Sequence, residues 1–191
     1  MENTLKSSYD VYITKKKFVL YTFGFGGHVK KLLVIMLCLL VGTFAWSQDV
    51  VEGYWKSVDE NGVVTAGWKI YEKNGKLYGE IVKVPGADPT LLATECKGPY
   101  KDFPLSGDTA KMTVINTPWI FGLTKSKVGV WANGNIVDPN DGKMYKCKIT
   151  FRAKDGKKFK EDTLEMRGEI GLGIGRSQFW TRTTFEEISK L

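Results

Sequence analysis

Between Gly134 and Arg182 the chain alternates apolar and polar residues with a period of two, broken only by short turn-forming clusters. Tyr145, Cys147, Ile149 and Phe151 fall on one face against Lys146, Lys148, Thr150 and Arg152. Leu164, Met166, Gly168 and Ile170 fall on another against Glu165, Arg167 and Glu169. Successive side chains of a strand point to opposite faces, so this pattern requires half-buried strands and rules out amphipathic helices here. Between two of the runs stands Asp138-Pro139-Asn140-Asp141-Gly142. Proline presets φ for the first turn position, and Asn, Asp and Gly tolerate the positions after it. The cluster predicts a β-hairpin with Asp138 and Gly142 as its structural residues.

The preceding chain adds elements of the same kind. Val51–Val58, Val63–Glu72 and Leu77–Val84 read as strands, turned by Asp59-Glu60-Asn61-Gly62 and by Asn74-Gly75. Residues 85–108 carry Pro85, Pro89, Pro99 and Pro104 with Cys96 among them, too long for a tight turn, and predict a crossing loop or lid. Lys111–Ile115 is expected as a short strand and Lys127–Val137 as another, with Val128, Val130, Ala132, Gly134 and Ile136 on one face. Trp119-Ile120-Phe121-Gly122 is an apolar patch without an assigned form. Arg176–Phe185 is expected as the last strand. About eight short strands with brief connections and no long helix predict an all-β fold: a single antiparallel up-and-down β-barrel, with a β-sandwich as the alternative.

The first 47 residues differ from the rest. Lys30-Lys31 precede an apolar run, Leu32 to Val41, and Ala45-Trp46-Ser47 follow as a cleavage-site pattern, which together read as a secretory signal peptide. Leu32 to Trp46 is 15 residues, short of the roughly 20 that span a bilayer. Three segments are therefore expected: residues 1–28 as an extension upstream of a true start at Val29, 29–47 as the signal peptide, and 48–191 as one domain. Cleavage near Ser47-Gln48 predicts a periplasmic or secreted protein with no stable membrane anchor. Removing the leader lowers the net charge from +7 to +3, which takes away the basic excess that would indicate a nucleic-acid partner.

The leader also holds the chain's one histidine, His28. The domain then lacks the Ser-His-Asp and Cys-His arrangements of nucleophilic catalysis and any His-based metal site. No catalytic residue, metal site or cofactor is assigned, and no spacing singles out a carboxylate pair. Cys96 and Cys147 are an even pair in an oxidising compartment and predict a disulfide tying the long loop to the Lys143–Arg152 strand. Asp138-x-Asn140-x-Gly142 departs from a calcium loop because Ile149 stands where the closing Glu is required. Gly171-Leu172-Gly173-Ile174-Gly175 leads into a strand rather than a helix, so it reads as a sharp bend and not as a phosphate loop.

The remaining candidate is one face of the last strand: Arg176, Gln178, Trp180 and Arg182. Directed inward, it would set two guanidiniums and an amide in a lumen with Tyr145 and Trp68 as further walls, and buried Arg requires anionic partners. The expected function is a non-catalytic barrel binding a small anionic, partly apolar molecule or an envelope component, with Arg176 and Arg182 as charge clamps. The alternative is a structural or protein-interaction module of the envelope, with an enzyme third. Phe179, Thr181 and Thr183 form the competing core face.

Several blocks resemble the exported bacterial family known as domain of unknown function 2147. They are Gly53-Tyr54-Trp55-Lys56, Ile70-Tyr71-Glu72 through Leu77–Val82, Gly134–Pro139 with Gly142–Cys147, Arg167-Gly168 with Ile170-Gly171, and Gly175–Arg182; residues 109–127 depart from the pattern. A fainter likeness is to lipocalin-like barrels, which place Gly-x-Trp on the first strand beneath an Arg of the last. That likeness implies a structural pairing of Trp55 with Arg182 as a cation–π contact.

Overall fold

A computed structural model describes residues 49–191. Eight strands follow one another in chain order: β1 (Gly53–Val58), β2 (Val64–Lys73), β3 (Lys76–Lys83), β4 (Ile120–Lys127), β5 (Val130–Val137), β6 (Met144–Arg152), β7 (Thr163–Gly171) and β8 (Ile174–Thr183). Each pairs antiparallel with the next, and β8 returns to β1 with Trp55 opposite Arg182, so the sheet closes into an up-and-down barrel with no free edge. The hydrogen-bonded ring and its core lie within these residues, and the segment from Gln48 onward is a compact unit of its own.

The expected alternation is realised wherever the period of two is unbroken. Cys147 and Ile149 of β6, Leu164 and Met166 of β7, and Trp180 of β8 are buried, whereas Lys146, Lys148 and Phe179 face out. The last of these settles which face of β8 is the core face: Phe179 lies on the outer wall, and the Arg176–Arg182 face points inward. Trp55, Trp119, Trp131 and Trp180 are all fully buried.

Differences from the sequence expectation gather between residues 84 and 137. Lys111–Ile115 is not a strand; a 3₁₀ turn at Thr109–Lys111 precedes a single bridge, Leu92 to Thr113. Ile120-Phe121-Gly122 of the apolar patch instead open β4, with Trp119 just before it. Val128-Gly129 is a hairpin tip rather than strand interior, since Gly129 takes φ +71°. Within β5 the register slips between Trp131 and Gly134, where Asn133 takes φ +63°. This bulge inserts an extra residue, so Trp131 and then Gly134 and Ile136 all face the core, which a strict alternation through Ala132 does not allow.

The 84–119 connection lies along the barrel end that carries the β5–β6 turn. Tyr100 donates its Oη proton to the Gly142 carbonyl at 2.7 Å, Val137 N–H donates to Trp119 O at 2.9 Å, and Asn116 N–H donates to Ile81 O at 2.8 Å. Gly142, at φ +69°, is required twice over: a Cβ there would stand 2.0 Å from the Glu95 carbonyl oxygen.

A short helix, α1 (Phe185–Ser189), follows β8 where continued strand is expected through Phe185. Thr184 caps it, accepting from the Glu187 N–H at 3.2 Å. The helix packs Ile188 against β2 at Gly67, where a Cβ would come within 2.5 Å of Ile188 Cγ2.

The disulfide between Cys96 and Cys147 is absent; both are free and buried. Cys96 Sγ lies 4.0 Å from the Asp138 carbonyl at the barrel rim. Cys147 pairs with Gly134, four residues deeper along β5, or about 13 Å at roughly 3.3 Å per residue. A disulfide requires Cα atoms within about 7 Å.

Candidate functional site

The barrel has two unlike ends. One carries the β2–β3, β4–β5 and β6–β7 turns and is sealed by the segment before β1. Val51 is fully buried, and Trp55 Nε1 donates to its carbonyl at 2.9 Å. Asp49 binds Lys125 Nζ at 2.7 Å and accepts the backbone N–H groups of Val51 and Gly129 at 3.2 and 3.3 Å. Burial alone would raise the Asp49 carboxyl, but these partners together hold it below the usual carboxylate value. Arg182 lies over the Trp55 ring, Cζ 4.2 Å from its centroid, and donates to the carbonyls of Glu52, at 3.1 Å, and Val50. Burial lowers the Arg182 pKa, yet a guanidinium remains charged in proteins.

The other end is open. A cavity of about 740 Å³ runs down from the mouth between the strands, a size typical of small-molecule sites. Its walls are largely apolar: Ala66, Ile81, Ile136, Val137 and Met166 from the strands, with Leu91 and Val114 brought over by the long connection. The deep end is aromatic. Trp68 stacks on Trp180 at 4.8 Å with the planes 20° apart. Their indole N–H groups are both satisfied, Trp68 donating to Ser57 Oγ at 3.2 Å and Trp180 to Gln178 Oε1 at 3.0 Å. The stacked pair is therefore neutral, and neither of its indole donors is left unpaired.

Charge appears only near the mouth, where the lining holds one cation, Arg176, and one carboxylate, Asp138. Asp138 Oδ1 is occupied by the backbone N–H and side-chain amide of Asn140, at 2.9 and 3.0 Å. Among the described residues no carboxylate stands at ion-pairing distance from Arg176. Arg176 is exposed to the mouth, opposite Gly168 on β7.

Of the six residues expected to form a ligand site, Trp68, Tyr145, Arg176 and Gln178 line the cavity. Trp180 lies beneath it as the fully buried partner of Trp68. Arg182 is the correction. It shares a strand face with Arg176, but six residues of extended chain carry it about 20 Å away, to the sealed end, where it is spent on Trp55 and two carbonyls. It is not a clamp in the lumen. The expectation missed Ala66, Ile81, Ile136 and Met166, although Ile136 and Met166 stand on the same alternating faces as the residues it named. Leu91 and Val114 gave no local signal, because the path of the connection places them. A separate crevice of about 510 Å³ is lined wholly by residues 97–110 of the connection and contains no barrel wall.

Residues 53–182 match the family described as uncharacterised proteins conserved in bacteria, domain of unknown function 2147. The chain belongs to this family. No curated protein matches it. Among solved structures it is similar to HP1028 of Helicobacter pylori, a protein assigned to the lipocalin family. The two share 15% identity at a TM-score of 0.56, over 73% of this chain and 87% of that one. At that identity the likeness concerns the fold, and the family member described here has a lipocalin-like barrel.

Proposed function

We propose that this barrel is a carrier or sensor for a small amphipathic anion, bound tail-inward in the cavity with its charged head at Arg176. The observation that carries this reading is the polarity gradient of the cavity: an aromatic and aliphatic depth in which the indole N–H groups of Trp68 and Trp180 are satisfied, and one cation without a carboxylate partner at the mouth. The sole carboxylate of the lining is already engaged by Asn140. A ligand with an acyl or aryl body and one acidic group matches both halves. Lipocalin membership of HP1028 favours ligand binding by analogy of fold. The same reading takes the leader to be removed near Ser47-Gln48 and the barrel to work outside the inner membrane, which N-terminal sequencing of the protein from an envelope fraction tests.

The binding experiment uses two fluorescent probes on residues 48–191: anilinonaphthalene sulfonate, which is anionic, and N-phenylnaphthylamine, which is neutral. Both are expected to bind with one site per barrel. Arg176→Ala should weaken the sulfonate about tenfold, since a charge-assisted contact contributes roughly 1.5–3 kcal/mol before solvent takes its place, and leave the neutral probe unchanged. Equal loss of both, or of neither, would remove Arg176 from the site. Native mass spectrometry of the envelope-purified protein, before and after denaturation, identifies the natural occupant.

A further inference from the structure

The β7–β8 hairpin projects from the rim of the open end and presents three aliphatic side chains to water: Ile170, Leu172 and Ile174 are 72%, 102% and 62% exposed. Solvent exposure is not the only cost borne here. Leu172 sits at φ +51° between Gly171 at +118° and Gly173 at +76°. A two-residue turn with both φ values positive ordinarily carries Asn-Gly or Gly-Gly, and a bulky side chain at the first position is strained. The tip is also braced. Arg167 donates from Nη2 to the Gly173 carbonyl at 2.8 Å and from Nε to Glu169 at 2.6 Å.

The wall beside this tip is basic. Lys146 and Lys148 stand on the outer face of β6, opposite Glu169 and Arg167 of β7. Both lysines are exposed, as is Arg176. Of the neighbouring acids, Glu169 is paired with Arg167 and Asp141 with Lys143 at 2.9 Å, while Asp138 is bonded to Asn140. Asp59 and Glu60 lie on the β1–β2 turn, so that part of the rim is acidic.

We propose that the β7–β8 tip is a membrane-docking element: Leu172, with Ile170 and Ile174, enters the acyl region of an anionic phospholipid bilayer while Lys146, Lys148 and Arg176 meet its phosphates. An exposed aliphatic tip flanked by basic residues is the pattern by which peripheral proteins hold an interface, apolar burial and attraction to anionic lipid acting together. Ile170 and Ile174 also line the cavity mouth, so docking would open an apolar route from bilayer to lumen. The docking element stands on the hairpin's own geometry and requires no ligand in the barrel.

The test is co-sedimentation of residues 48–191, free of the apolar leader, with vesicles of phosphatidylethanolamine and phosphatidylglycerol, and in parallel with phosphatidylcholine alone. Binding is expected to the anionic vesicles, to weaken with added salt, and to fall at least tenfold in Leu172→Asp. The double substitution Lys146→Glu with Lys148→Glu should weaken it as well. An environment-sensitive fluorophore attached through Leu172→Cys, the two native thiols being buried, should shift to the blue on the anionic vesicles. No binding by the unsubstituted protein, binding unchanged by Leu172→Asp, or an unshifted fluorophore on bound protein would each overturn the proposal. So would a dimer in solution that Leu172→Asp dissociates without any vesicle binding, since the tip would then be a contact between copies. The titrations with the naphthalene probes run without vesicles, so either result can fail alone.

Discussion

Arg176 and Arg182 occupy the same face of the same strand, and the two ends of the barrel put them to opposite uses. At the sealed end Arg182 covers Trp55 and caps two backbone carbonyls, so its charge and its donors are consumed by the protein itself. At the open end Arg176 has neither an aromatic face beneath it nor a carboxylate beside it, and its surroundings are a cavity. Residue type and strand face alone do not separate a structural arginine from one available to a ligand. Depth along the barrel, and what the chain before β1 does with its backbone, decide the matter.

The largest expected effect lies at the sealed end. Trp55 is fully buried, donates to Val51 O and supports the Arg182 guanidinium. Trp55→Ala should lower unfolding free energy by about 3–5 kcal/mol, measured by urea denaturation of residues 48–191. Trp68→Ala at the open end removes a ring that already faces a cavity and leaves less new void, so its cost should be smaller. If the two costs were equal, the cavity would not be open in solution.

Next come the two arginines, taken as a crossed pair. Arg182→Ala should cost about 1–2 kcal/mol of stability, a cation–π contact and two hydrogen bonds at a partly exposed site, and leave affinity for the anionic probe unchanged. Arg176→Ala should change stability by less than about 0.5 kcal/mol and carry the binding loss alone. Denaturation and probe titration on both variants check this. The reverse pattern would mean that the head group sits at the sealed end.

Much of this was legible in the sequence and some of it was not, for physical reasons that can be named. Strands β6, β7 and β8 bury one face of an unbroken period-two pattern, so periodicity alone locates them, as well as Tyr145, Gln178 and the inward Trp180. The family blocks and the Gly-x-Trp likeness point to the same barrel. Where the pattern is interrupted by positive-φ residues the reading fails: Asn133 slips the register of β5 and turns Trp131 inward, and Gly129 splits an expected strand into a hairpin. The capping pattern Thr184-x-x-Glu187 was available as a helix start and marks the end of β8. The role of Arg182 was legible only through the lipocalin likeness; the alternation argument alone put it in the lumen. The walls contributed by Leu91 and Val114 depend on how a 36-residue connection is tied to the β5–β6 turn, which is tertiary information.

A smaller, pH-dependent effect sharpens the contrast between the ends. Asp49 is held below its ordinary value by Lys125 and two backbone donors, and Lys125 is held above its own by Asp49. A carboxyl with a lowered folded-state pKa contributes stability that is fully present above its unfolded value of about 3.9. That contribution is lost as pH falls through the folded value. The raised lysine contributes below its unfolded value of about 10.4 and loses the contribution as pH rises through the folded one. Asp49→Asn should therefore cost stability by a constant amount between about pH 5 and pH 9. The difference from the unsubstituted protein should shrink in stronger acid, and in stronger alkali it should shrink by the part that Lys125 supplies, the two backbone donors remaining. A matched control, Asp88→Asn on the long connection, should show no alkaline arm, because its lowered carboxyl accepts from the backbone and hydroxyl of Thr90 and not from a lysine. Urea midpoints across pH for the three proteins decide this.

The smallest expected effect concerns the two thiols. A disulfide closing the span from Cys96 to Cys147 would stabilise by roughly 4 kcal/mol in the loop-entropy model, so a reductant would lower the melting midpoint by many degrees if the bond existed. The geometry forbids it. Cys96 is tied to the rim through the Asp138 carbonyl, and Cys147 is held in the wall opposite Gly134. Burial also pushes both thiols above their ordinary pKa, which suppresses the thiolate that oxidation requires. Reductant should leave the midpoint of residues 48–191 unchanged. A thiol reagent should find no reactive cysteine in the folded barrel and two after unfolding. One outcome would change the contrast between the ends: a single fast thiol in the native state. Cys96 is the candidate, because it lies on the connection at the rim, beside the Tyr100–Gly142 hydrogen bond, whereas reaching Cys147 takes opening of the barrel wall. Rapid modification of Cys96 alone would show that the connection lifts from the rim while the sealed end stays closed, and it would place the barrel's motion at the end that holds the cavity.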